Sequence, residues 1–205
     1  MALESDDTDE ILKTTQQVVN NCILSEDVDV EKLPFFDVDY LFIAMRAKSV
    51  GETISIRYTC QNWVGEEMCG NIFESEIDII KCKLKKDEDI KSTIELGNSI
   101  IVKMKYPNYS MMKKSTDTPD IMEREIQVIS GCIDQIVIDD NVYHAKEMSN
   151  EELVEFIEGL RQEQFSKLEH FIRNLPTFVV TAEATCTKCG HEHKLEYTDY
   201  LRFFD

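Results

Sequence analysis

The chain has 205 residues, 42% of them hydrophobic, which is enough for a buried core in the single domain, 1–205, that we predict. Its formal net charge of −18 disfavours nucleic-acid binding, because an acidic protein repels phosphate backbones. The sequence has no apolar run of about 18 residues and its first ten residues are acidic, so neither membrane insertion nor a signal peptide is expected. Seven cysteines, an odd number, favour reduced thiols that partly hold metal, and therefore a cytosolic compartment.

Residues 1–50 are predicted to be mainly helical. Apolar residues recur at helical spacing over 6–24 and again over 37–48, and Gly51 follows the second pattern. We therefore expect two helices in succession.

The next part of the chain, 52–84, is predicted to be a hairpin. Apolar and polar residues alternate over 52–60, which is typical of a half-buried strand, and 71–84 can pair back on it. Because the first strand leads directly into Cys60, the hairpin is expected to carry cysteines at its tip.

A second hairpin over 92–104, with its turn at Gly97-Asn98, precedes a mainly helical segment, 118–175. Helix starts and stops in that segment are indicated at Thr118-Pro119-Asp120, at the capping box of Ser149 and Glu152, and at Pro176. The first of these helices is expected to run toward Asp139.

The C-terminal part, 178–204, is predicted to be a second cysteine-bearing hairpin. Residues 178–185 are rich in β-branched side chains and lead into Cys186, and 193–197 can return as the partner strand. An aromatic end, 200–204, follows and packs either on its own hairpin or on a neighbouring protein.

A metal site is indicated by Cys186-Thr187-Lys188-Cys189-Gly190, whose two-residue gap lets both thiolates reach one tetrahedral ion. The glycine permits the left-handed backbone of a tight knuckle, and Cys69-Gly70 repeats this ending downstream of Cys60. We therefore predict one structural zinc ion held by Cys60, Cys69, Cys186 and Cys189. The fold class is then α+β, with zinc-ribbon-like hairpins from 52–84 and 178–204 joined to a helical portion.

The gap between Cys60 and Cys69 is wide, at eight residues, where two to four are typical, so the insertion must loop out. Trp63 within it is either a surface anchor for a partner or a side chain packed on the ribbon. The four cysteines could also be small buried hydrophobic residues, and His191 or His193 could replace one of them as ligand.

Four thiolates leave no open coordination position, which favours a structural over a catalytic site. The sequence also contains no glycine-rich phosphate loop, no His-Glu-x-x-His and no Gly-x-Ser-x-Gly motif. We therefore predict that the protein is not an enzyme. The remaining cysteines, Cys22, Cys82 and Cys132, lie in or beside apolar segments and are expected to be core residues.

A family resemblance rests on segments that occur in order along nearly the whole chain. They are Leu33-Pro34, Asp37-Val38-Asp39-Tyr40-Leu41-Phe42, Arg46-Ala47-Lys48-Ser49-Val50-Gly51-Glu52, Cys60, Cys69-Gly70, Cys186-Thr187-Lys188-Cys189-Gly190 and Phe203-Phe204. Together they resemble the baseplate hub family of T4-like contractile-tailed bacteriophages. Family members begin with a strand-rich segment ahead of a stretch similar to Met1-Ala2-Leu3-Glu4-Ser5, so an internal start or a shorter variant is expected here.

The resemblance implies a late, non-enzymatic protein that helps to build the hub of the tail baseplate in the host cytoplasm. Its partners would be other hub proteins, and it would belong to the virion tail baseplate. The alternative is a zinc-ribbon nucleic-acid-binding or transcription-related phage protein, which the net charge disfavours. A hydrolase of the tail tip is a third reading, supported only by scattered acidic residues.

Overall fold

A computed structural model of the protein describes residues 8–25, 27–111 and 120–198. Contacts between Cα atoms group the chain into two compact units. The first unit comprises Met1–Cys22, Val38–Lys85 and Thr177–Asp205, and the second comprises Ile23–Asp37 and Lys86–Pro176. The single-domain organisation expected from the sequence stays a prediction.

The first unit contains helix α1 and most of helix α2, together with seven strands. The helices are α1 (Thr8–Cys22) and α2 (Phe35–Ser49), and the strands are β1 (Thr53–Thr59), β2 (Trp63–Val64), β3 (Glu67–Met68), β4 (Ile72–Asp78), β5 (Lys83–Lys85), β10 (Thr177–Thr185) and β11 (Glu192–Tyr197). Both predicted N-terminal helices are confirmed over their described residues.

Three small antiparallel sheets make up the strands of the first unit. Strand β1 pairs with β4 along its whole length, β2 pairs with β3, and β10 lies between β11 and β5. The longer strands β1, β4, β10 and β11 bury side chains on one face, as half-buried strands require, and these include Ile54, Phe73, Ile77, Val180, Ala182 and Leu195. The residues of the short strands β2, β3 and β5 are exposed. The pairing that the sequence predicts for 71–84 with the preceding strand is confirmed over β4.

The second unit packs helices on a four-stranded antiparallel sheet. Its strands are β6 (Thr93–Gly97), β7 (Ile100–Met104), β8 (Ile133–Ile138) and β9 (Asn141–His144), in that spatial order, and its helices are α3 (Ile121–Cys132), α4 (Asn150–Glu158) and α5 (Gln162–Arg173). Short 3-10 turns cover Val30–Lys32 and Ala145–Glu147, and a third, Ile79–Lys81, lies in the first unit. The core includes Val102, Ile129, Ile133, Ile136, Leu168 and Phe171.

The helix expected to run toward Asp139 was predicted too long. It ends at Cys132, and β8 begins at Ile133 without a connecting loop. The isoleucine-rich stretch that follows pairs with β7, and Ile133 and Ile136 are buried there, so sheet pairing overrides the helical spacing. Asp139 instead occupies a tight turn with positive φ, which lets β9 pair back on β8.

Other sequence signals of the second unit are confirmed. Ser149 and Glu152 form the capping box at the start of α4, with both reciprocal hydrogen bonds present. Asp120 caps α3 through the backbone N–H of Glu123. The neighbouring helix-start residues Thr118-Pro119 and the aromatic end, 200–204, lie outside the described residues.

The fold class α+β is confirmed by the helices and small antiparallel sheets of the described residues. Among the described helices, none has the length and apolar character needed to cross a bilayer.

The stability of the second unit should depend on Leu168, which is fully buried in its core. We expect Leu168→Ala to lower the free energy of unfolding by about 2–5 kcal/mol, because it removes apolar contacts and leaves a cavity. Leu24→Ala makes the same chemical change at an exposed site of this unit and should cost less than about 0.5 kcal/mol. Urea unfolding of both variants measures the difference, and equal losses would contradict this core.

Candidate metal centre

Cys60 and Cys69 form a compact knuckle in spite of the eight residues between them. The backbone N–H of Cys69 donates to the carbonyl of Asn62 at 2.8 Å, which closes the base of the β2–β3 hairpin. The N–H of Gly70 donates to the carbonyl of Cys60 at 3.0 Å, and Gly70 has φ +60°. The insertion therefore loops out, as the sequence required, and leaves the two cysteines side by side.

Cys186 and Cys189 form a second knuckle with the same bonding pattern. The N–H of Gly190 donates to the carbonyl of Cys186 at 2.9 Å, with Gly190 at φ +70°. The N–H of Lys188 points at the sulfur of Cys186 at 3.4 Å. Each knuckle thus ends in a left-handed glycine that turns the chain back, as the paired Cys-Gly endings predict.

The two knuckles bring all four predicted cysteines together. Their Sγ atoms lie within 4.8 Å of one another, with Cys60 and Cys189 3.6 Å apart and Cys69 and Cys186 3.8 Å apart. In a tetrahedron with metal–sulfur bonds of about 2.3 Å, as zinc has, the sulfurs stand about 3.8 Å apart. The four sulfurs are therefore spaced so that they could hold one metal ion, and the spacing is consistent with zinc.

The surroundings of these thiols fit a cation. Cys60, Cys69 and Cys186 are buried, and burial raises the pKa of Cys60 to about 12. Burial also acts to raise the pKa of Cys186, but hydrogen bonds from the N–H groups of Cys189 and Lys188 and from Asn71 outweigh it and lower that pKa to about 6. Donors thus already stabilise one thiolate, and a bound cation would favour the thiolate form of the other three.

Polar side chains surround the sulfurs and were missed by the sequence analysis. Asn71 donates from Nδ2 to the sulfur of Cys186 at 3.5 Å, and Asn62 does so to Cys189 at 3.7 Å. Each asparagine stands two residues after a cysteine of the first knuckle. This repeated Cys-x-Asn spacing is the feature of the sequence that could have indicated both donors. Such donors commonly orient ligands and spread their charge.

His193 contacts the cluster without belonging to it. Its Nε2 lies 3.2 Å from the sulfur of Cys60, and its ring is buried against Tyr58 and Phe73. The group of four possible ligands contains neither His193 nor the exposed His191. His193 therefore lies beside one of the four possible ligands, within hydrogen-bond distance of Cys60.

The remaining cysteines do not belong to this cluster. Cys132 is buried in the core of the second unit, as expected, and Cys82 is half-buried. Cys22 is exposed, so its prediction as a core residue was wrong, because it is the last residue of α1 and faces solvent there.

The model of one protein family, described as T4 bacteriophage base plate protein, matches residues 1–205 of the chain. Comparison with curated proteins and comparison with solved structures each gave no match.

The position of His193 leads to a test of metal retention. We expect His193→Ala to speed metal loss to a chromophoric chelator, with an affinity about 10–100-fold weaker, because a ligand loses its hydrogen-bond partner. His191→Ala removes the exposed neighbouring ring and serves as the control. Equal retention in both variants and the unchanged protein would show that His193 does not support the site.

Proposed function

The chain belongs to the family of T4 bacteriophage base plate proteins, and we propose that it is a structural or assembly protein of the baseplate hub. The observation that carries this proposal is the family match, which extends over residues 1–205. In this role the protein acts through contacts with other hub proteins, in the host cytoplasm during assembly and then in the virion tail.

A non-enzymatic role agrees with the chemistry of the cysteine cluster. Four thiolate ligands would complete a tetrahedral shell, so an ion held by them has no open position at which to activate water or polarise a substrate. Membership of a family of structural baseplate proteins and a metal shell filled by four thiolates both favour a protein that binds and positions other proteins.

The ion that this site takes is, in our proposal, one structural zinc held by Cys60, Cys69, Cys186 and Cys189. Cysteine-rich tetrahedral sites favour zinc among the common divalent ions, and the two sulfur–sulfur distances of 3.6 and 3.8 Å support it. The two knuckles would then form a zinc-ribbon-like arrangement in which zinc ties the β1–β4 hairpin to the β10–β11 hairpin.

Zinc content and stability test this assignment together. The purified protein should contain about one zinc per chain, and Cys189→Ser should contain much less, whereas Cys22→Ser, which changes an exposed thiol outside the cluster, should retain it. Free zinc at about 1,000 times Kd should raise the free energy of unfolding by about 4 kcal/mol over the chelated protein. A zinc content near zero in the unchanged protein would contradict the assignment.

Association with hub proteins tests the proposed function itself. Coexpressed with the other baseplate hub proteins of the same phage, the chain should copurify with at least one of them as a complex of defined mass in size-exclusion chromatography. A chain that remains monomeric and alone in the presence of every hub protein would contradict the proposal.

A further inference from the structure

We propose that the tip hairpin, residues 61–68, is a docking element that inserts into an apolar groove with a basic rim on another baseplate protein. This inference rests on the proposed function and specifies the kind of partner surface that the chain binds. The eight residues that widen the gap between Cys60 and Cys69 would then serve recognition.

The first support is an apolar surface at the tip. Trp63 is 66% exposed, Val64 57% and Met68 52%, so the described residues leave most of the tryptophan side chain uncovered. Trp63 and Met68 are directly paired across the hairpin and lie on one face, whereas Val64 points to the other. A projection with apolar side chains on both faces buries more of them in a groove than on a flat surface. Exposed apolar clusters of this kind mark interaction sites, and tryptophan is prominent among residues that dominate binding energy.

The second support is the way in which the hairpin is held. Its base is closed by the hydrogen bond from Cys69 to Asn62. Directly below, the N–H of Cys60 donates to the carbonyl of Asn71 at 2.8 Å. The tip hairpin is therefore flanked on both sides by cysteines of the first knuckle, Cys60 and Cys69. A hairpin fixed in this way loses little conformational freedom on binding, which favours affinity.

The third support is charge, which identifies the partner surface. Glu66 and Glu67 are exposed on the hairpin, and residues 58–80 contain no lysine or arginine. Four thiolates and one divalent cation would add a net charge of −2, from −4 and +2. One cation lies at the base, since Lys188 donates to the carbonyl of Cys69 at 3.2 Å. The tip is thus apolar with an acidic edge, and the complementary surface is an apolar groove rimmed by lysine or arginine.

The same charges argue against a second copy of this chain as the occupant. Each copy carries a formal charge of −18, so two acidic tips and their surroundings would repel each other at close range. A basic partner surface has the opposite effect and would speed association at low salt.

The free protein provides the first part of the test, because Trp63 is the only tryptophan in the sequence. Its fluorescence should have the red emission of an indole in water and should be readily quenched by acrylamide. Blue-shifted, protected emission in the monomeric protein would mean that another part of the chain covers the hairpin, and would overturn the proposal.

Binding provides the second part, with the hub proteins that copurify with the unchanged chain as probes. Trp63→Ala should weaken binding by about 30-fold or more, the size typical of a hot-spot residue. Val50→Ala is the control, because Val50 is also an exposed apolar residue of the first unit, 70% exposed. Val50 lies before β1, at the opposite end of that strand from the tip hairpin. Val50→Ala should leave affinity within about 2-fold, as a near-neutral surface change would. Unchanged zinc content in both variants verifies that the knuckle is intact.

Charge reversal provides the third part. Glu66→Lys with Glu67→Lys should slow association and reduce its dependence on salt. Glu155→Lys with Glu158→Lys changes the net charge equally on exposed residues of α4, in the second unit, and should have a much smaller effect. Equal effects of the two pairs would contradict local recognition by the tip hairpin.

The outcomes separate this inference from the function on which it rests. If the unchanged chain binds no hub protein, the proposed function fails and the inference fails with it. If the unchanged chain and Trp63→Ala bind equally well, only the inference fails. If Trp63→Ala instead abolishes a dimer seen in sedimentation of the unchanged chain, a second copy occupies the hairpin and the inference is wrong.

Discussion

Cys60 and Cys189 are 129 positions apart in the sequence, and their sulfur atoms are 3.6 Å apart in the fold. Cys69 and Cys186 make a similar approach across 117 positions. Bringing such distant segments together costs conformational entropy. Burying four thiols side by side contributes little hydrophobic free energy to offset that cost. A metal ion bound by all four, as we propose, would hold the two knuckles together and stabilise the first unit at this point.

The convergence also gives a physical reason for the hairpins that surround it. Each knuckle lies where one strand ends and its partner begins, so the sheet registers of β1 with β4 and of β10 with β11 fix the positions of the sulfurs. Asn62, Asn71 and His193 then supply polar groups around three of the sulfurs. In our proposal the metal would be a structural element that holds these hairpins in place for assembly with other proteins.

Features that depend on neighbouring residues could be predicted from the sequence, whereas some features that depend on contacts between distant segments could not. The Cys-Gly endings, the capping box at Ser149 and the alternation of β1 are local patterns, and each was confirmed by the structure. The end of α3 at Cys132 was not predictable in the same way, because Ile133 and Ile136 fit either a helix face or a strand, and their pairing with β7 is a tertiary effect. Likewise, the sequence did not decide whether Trp63 is packed on the ribbon or exposed. The conformation of the eight-residue insertion depends on the hydrogen bond between Cys69 and Asn62 that closes its base.

We propose that four thiolates, and no histidine, hold a single structural zinc ion. X-ray absorption at the zinc edge of the purified protein measures this ligand set directly. We expect four sulfur neighbours at about 2.3 Å and no nitrogen or oxygen bound to the zinc. A nitrogen neighbour at about 2.0 Å would mean that a histidine such as His193 replaces a cysteine, and that result, like the absence of zinc, would contradict the proposed four-cysteine site.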